Sequence, residues 1–109
     1  MGDWYWFRAD DGTFDARDEL RRCRTRSRYN AALLINRLTD AVEFGSAAVE
    51  ADKIIGSPFW FWQSGGEGVF YLVENRSQGA DVRIAWVGWV RRAGYGAALA
   101  EAERRLASL

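Results

Sequence analysis

The sequence predicts one small α+β domain over residues 1–109, a curved antiparallel sheet with helices packed on one face. Three observations lead to that class. Aromatic and β-branched runs near residues 4–9, 59–63, 69–74 and 82–90 are bounded by Gly, Asp or Pro, the pattern of short strands. A long helical periodicity fills the gap between the first two runs, and a shorter one closes the chain. At 49% hydrophobic and 28% charged residues, the chain can bury a single core, which excludes disorder.

Element by element, Trp4 to Ala9 reads as an aromatic strand and Asp10-Asp11-Gly12 as a turn. Thr13 or Asp15 then caps a helix from about Asp15 to Cys23, whose apolar stripe is only Ala16, Leu20 and Cys23. A second helix from about Ser27 to Phe44 carries Ala31, Leu34, Ile35, Leu38, Ala41 and Val42 at helical spacing, and Gly45 is placed to end it. Leu34, Ile35, Leu38 and Val42 are the expected core. Residues 46–56 are small and mildly acidic, with no clear period. Three strands joined by the turns around Gly65-Gly66 and Gln78-Gly79 follow, and the last of them alternates. The closing helix shows Tyr95, Leu99, Ala102 and Leu106 on one side, with Leu99 and Leu106 expected to cover the sheet. The predicted order is β-α-α-β-β-β-α.

Composition narrows the chemistry. There is no histidine, and Cys23 is the only cysteine, so a cysteine-rich zinc site, an internal disulfide and a histidine base are excluded, and neither a metal nor a cofactor is expected. Cys23 sits on the apolar stripe of its helix and reads as core, since no histidine can activate it. No apolar run approaches a membrane span, and the first residues lack a signal-peptide pattern, so a cytoplasmic protein is expected. Fifteen basic residues balance fifteen acidic ones, which argues against a generic nucleic-acid coat but leaves room for a local basic groove. Ser64-Gly65-Gly66-Glu67-Gly68 follows a strand without opening a helix, so it is a hairpin turn and not a nucleotide-binding loop.

Two clusters carry a functional reading. Arg21, Arg22, Arg24, Arg26 and Arg28 form a run at the junction of the first two helices. It reads either as a ridge for nucleic-acid phosphates or, more simply, as a solvated face paired with Asp15, Asp18 and Glu19. Arg83, Trp89 and Arg91 fall on one strand face by period two, where arginine and aromatic side chains can hold a phosphate and stack a base; the plain alternative is edge-strand charge.

The element order, the opening stretch Trp4 to Leu20 with Asp18-Glu19-Leu20, and the run Val87-Gly88-Trp89-Val90-Arg91-Arg92 followed by a Glu-, Ala- and Arg-rich helix resemble the RelE/HigB superfamily of bacterial and phage toxins, nearest its phage-derived HigB-like branch. The resemblance spans nearly the whole chain. It implies a toxin of a type II toxin–antitoxin system, a ribosome-associated mRNA endonuclease held inactive by a cognate antitoxin. The implied chemistry is metal-independent: the ribose 2′-oxygen attacks the adjacent phosphate and the 5′-oxygen leaves. That step needs a base, an acid and cations aimed at the crowded phosphorane. Arg91 and Arg92 match the family's paired cations after the last strand. Tyr95 lies near the place of a catalytic tyrosine in many relatives, and Lys53 where relatives place functional lysines. Arg83 and Trp89 would then contact RNA. Two departures stand out: Glu67-Gly68-Val69 occupies the strand start where the family carries an arginine, and Val87 stands where many relatives have histidine. The base is left to Glu67, Tyr95 or Lys53. The alternative function is a catalytically silent relative, or a phage protein, that acts by binding a host protein.

Overall fold

In the computed structural model, which describes residues 2–109, the chain runs β1 (Trp4–Trp6), α1 (Ala16–Arg26), α2 (Arg28–Phe44), a 3-10 segment (Ser46–Asp52), β2 (Trp60–Ser64), β3 (Glu67–Asn75), β4 (Ala80–Trp89), α3 (Val90–Ala93) and α4 (Tyr95–Ser108). The α+β class is as predicted. Local chemistry accounts for the helix ends. The Asp15 carboxylate accepts from the Arg17 and Asp18 amides and caps α1, while Thr13 belongs to the preceding turn through Asp11. Ser27 ends α1 through its amide and caps α2 through its hydroxyl. Gly45, at φ 81°, supplies the left-handed residue that stops α2. The patternless stretch after it is the 3-10 segment, held by few local bonds and by Asp52 at its end.

The sheet order is β1-β4-β3-β2. β2, β3 and β4 form the expected antiparallel meander, with Ser64 opposite Glu67 across the Gly65-Gly66 turn. β1 corrects the all-antiparallel expectation: it runs parallel to β4, with Trp4 beside Val82 and Trp6 beside Ile84. The direction of a strand joined by a long connection is set by where the intervening helices return the chain, which the period of its side chains does not encode. The four strands make one mixed sheet.

Helices on one face only is the second correction. Along β3, Glu67, Val69 and Tyr71 point one way, and Gly68, Phe70 and Leu72 the other. Arg26 of α1 binds Glu67, and Asp52 binds Tyr71, so α1, α2 and the 3-10 segment lie on the first face. Tyr95, which opens α4, packs edge-on against Phe61 at 5.0 Å and against Phe70 at 5.6 Å, on the second face. Aromatic rings fill that face: Phe7, Phe59, Phe70 and Trp86 form a chain of edge contacts. The core includes Leu34, Leu38 and Val42 as expected, whereas Ile35 is half-exposed. On α4 the buried stripe is Ala98, Ala102 and Arg105, with Leu99 and Leu106 only half-buried.

A β-bulge interrupts β4. Phe70 pairs with Trp86 but Tyr71 pairs with Ile84, which leaves Ala85 as the extra residue. The backbone groups it displaces are met by side chains. Arg105 donates to the Ala85 carbonyl at 2.8 Å, and Glu19 accepts from the Val87 amide at 3.1 Å. Arg105 also binds both Glu19 oxygens and Glu101, and its guanidinium lies 4.8 Å from the Phe14 ring.

Candidate functional site

β1 stops beside Ile84, so β4 runs on from Ala85 to Trp89 with no strand at that edge. The space beyond is a groove of about 630 Å³. Its floor is Trp86 to Trp89, one wall is Glu19, Arg22 and Arg26 of α1, and the other is Arg92 and Ala93 of α3. Glu19, Arg22 and Arg26 follow one another at +3 and +4, so one helix face presents all three. Trp89 is held at the rim by its fit to the hairpin turn. A Cβ on Gly66 would stand 2.8 Å from the Trp89 ring, so only glycine lets the indole lie on the turn backbone. The indole remains 39% exposed.

The carboxylates beside these cations are already engaged. Glu19 is taken up by Arg105 and the Val87 amide. Glu67 is fully buried and holds Arg26 with both oxygens, at 2.9 Å from Nε and 2.7 Å from Nη2. The hydrogen bonds that Arg26 donates to Glu67 push its guanidinium still higher than its ordinary range, so it stays charged. Arg22 pairs with Asp18 on the solvent side. Arg92 has no ion-pair partner among the described residues. Cys23 lies buried beside Glu67, and burial first, then the Glu67 charge, pushes its thiol up to about 12. It is core, as the sequence implied.

The residues singled out from the sequence do not all meet here. Arg92 and Trp89 do. Arg91 shares the α3 turn with Arg92 and is exposed, but it does not line the groove. Tyr95 does not line the groove; its ring packs against Phe61 and Phe70, on the face of the sheet that Trp86 shares. Lys53 pairs with Trp60, the first residue of β2, whereas the groove lies by Ser64 and Glu67 at the far end of that hairpin. Its amine donates to the Ile54 and Ser57 carbonyls and rests 5.0 Å from the Trp60 ring. Arg83 pairs with Leu72, five residues and about 17 Å along β3 from the Glu67 that pairs with Trp89. The extra residue at Ala85 also reverses the alternation, so Arg83 and Trp89 face opposite sides of the sheet, and Arg83 covers Phe7 at 5.0 Å. The shared strand face of Arg83, Trp89 and Arg91 is thereby corrected.

The sequence names Arg22 and Arg26 only as members of the arginine run, for which the solvated face is the simpler reading, and nothing in that reading sets these two apart as groove residues. Their +3 and +7 spacing from Glu19, which puts all three on one helix face, was the available signal. The rest of that run, Arg21, Arg24 and Arg28, is exposed, but the expected pairing with Asp15, Asp18 and Glu19 is seen only for Arg22 with Asp18; Asp15 meets Arg8 and Glu19 meets Arg105. Among the described residues no group of three His, Cys, Asp or Glu side chains gathers to hold a metal, and no helix is long and apolar enough to cross a membrane. Compared with known families, curated proteins and solved structures, the chain gives no match.

Proposed function

We propose that the chain is a toxin of the RelE/HigB kind, acting on mRNA at the ribosome through the groove beside β4 and restrained by an antitoxin protein. The observation that carries this reading is the convergence of Arg22, Arg26 and Arg92 with the exposed ring of Trp89 at one open strand end. Arginine forks match phosphate oxygens, and an aromatic face stacks a base of any identity, so together they suit single-stranded RNA. For cleavage by the 2′-oxygen, these cations would face the charge that builds on the phosphorane.

A second reading is favoured by a specific observation. Lys53 and Tyr95 do not line the groove and Glu67 is closed off by Arg26, so none of the three bases named from the sequence is presented to a ligand there. This supports a relative that binds without cutting and acts on a host protein. Inducible expression in bacteria without any partner, followed by mapping of RNA ends, separates the two. Growth arrest with new cleavage ends inside coding sequence is the result expected of the nuclease. Growth arrest with intact mRNA gives the second reading its place, and unimpaired growth with intact mRNA removes the toxin assignment altogether.

A further inference from the structure

The Arg26–Glu67 pair is built unlike a stabilising contact. Glu67, at the start of β3, has no exposure at all, yet its partner's side chain is 36% exposed and opens into the groove. A carboxylate taken that far out of water carries a large desolvation penalty, and its pairing recovers about as much as two apolar side chains of the same volume would. What the pair does supply is orientation. Glu67 grips the guanidinium by its Nε and Nη2, at 2.9 and 2.7 Å, which leaves the Nη1 side without a protein hydrogen bond among the described residues. An arginine fixed along one edge loses no side-chain freedom when its other edge meets an anion. The buried Cys23 thiol lies beside Glu67, and as a neutral group it leaves the carboxylate's charge to Arg26.

We propose that Arg26 is the preset phosphate fork of the groove and that Glu67 is the positioning residue that aims it. The ligand class is a phosphodiester of single-stranded RNA, and in that respect the inference rests on the RNA reading above. Arg22 and Arg92, on the two walls, would follow the flanking phosphates as mobile surface cations.

The test uses the full chain and a 2′-O-methyl RNA dodecamer, which cannot be cut by its own 2′-oxygen, with Kd measured across a salt series. Arg26→Met with Glu67→Met together should leave the thermal melt close to the parent, because an apolar pair replaces a buried ionic one. The same double variant should bind RNA at least tenfold more weakly, with a log–log salt slope smaller by about 0.7, one single-strand phosphate contact. Glu67→Gln keeps every cation and should keep the slope, yet lose severalfold in affinity because Arg26 is no longer clamped. Arg26→Lys should likewise keep the slope and lose affinity, since an ammonium has no second edge to present. Binding by the double variant equal to the parent's overturns the role of Arg26. Parental affinity in Glu67→Gln overturns the positioning role. A parent that binds the dodecamer, and is weakened by Arg92→Ala but by none of these changes, sinks this inference alone. A parent with no affinity for RNA removes the RNA reading and this inference with it. If the double variant does not fold, the two single changes decide.

Discussion

Arg105 and Arg26 are both arginines gripped by a carboxylate beside the unpaired end of β4, and they end up with opposite uses. The Arg105 side chain is 6% exposed, and Glu101, Glu19 and the Ala85 carbonyl take up its Nε, Nη1 and Nη2. Arg26 has six times that exposure and engages only one edge of its guanidinium. The first is a closed knot that holds a β-bulge in place. The second is a half-open one that turns a charge toward solvent. The difference does not lie in the pairing chemistry, which is the same, but in how many donors the fold leaves unassigned.

The largest expected effect therefore comes from opening the closed knot. Arg105→Met removes one partner from a buried cluster and leaves the Glu19 charge and the Ala85 carbonyl without it, a change worth about 3–5 kcal/mol. Urea denaturation at pH 7 reads this directly, and a loss below about 1 kcal/mol would mean that the bulge holds itself. Leu38, 1% exposed in α2, is the yardstick without charge: Leu38→Ala should cost about 2–5 kcal/mol as a cavity. Acid separates the two. Hydrogen bonds from Arg104 and Arg105 hold the Glu101 carboxyl below its ordinary 4.5. A depressed carboxylate stabilises the fold above its unfolded pKa and loses that contribution as pH falls through its folded pKa. The parent should thus weaken below about pH 4.5, Leu38→Ala should weaken in parallel with it, and Arg105→Met should weaken less.

How much of this was legible in the sequence follows the same divide between local and long-range causes. Asp15, Ser27 and Gly45 act within one turn of chain, and the helix limits near them can be read from residue type alone. The meander is legible for the same reason, because its turn glycines lie between the strands they join. The bulge is not. Ala85, Trp86 and Val87 are all apolar, so an inserted residue leaves no break in the alternation, and its position is fixed by Glu19 and Arg105 from helices far away in sequence. That one residue moved Arg83 to the other face from Trp89 and took the predicted surface apart. The groove was half legible: Arg92 and Trp89 carry a local pattern, whereas Arg22 and Arg26 matter only because α1 lies along the unpaired end of β4.

A smaller effect bears on both knots together. The chain has no histidine, and the Cys23 thiol is pushed up to about 12, so neither an imidazole nor a thiol changes charge between pH 5 and 7. The denaturation midpoint should be flat across that interval. A step there would overturn that expectation.

The smallest expected effect on stability is the most decisive for function. Arg91 and Arg92 are neighbours in a one-turn helix, both exposed, and neither has an ion-pair partner among the described residues, so replacing either by alanine should leave the melt almost unmoved. Their directions differ, because successive helical residues point about 100° apart, and only Arg92 lines the groove. If the groove is the working surface, Arg92→Ala should reduce RNA affinity about tenfold or more and relieve toxicity, while Arg91→Ala keeps most of both. Equal losses from the two would return the site to the paired cations of the sequence motif and take it out of the groove. No loss from either would leave the open edge of β4 without a phosphate partner on its α3 side. The closed knot at Arg105 would then be the only arginine cluster on this strand with a demonstrable role.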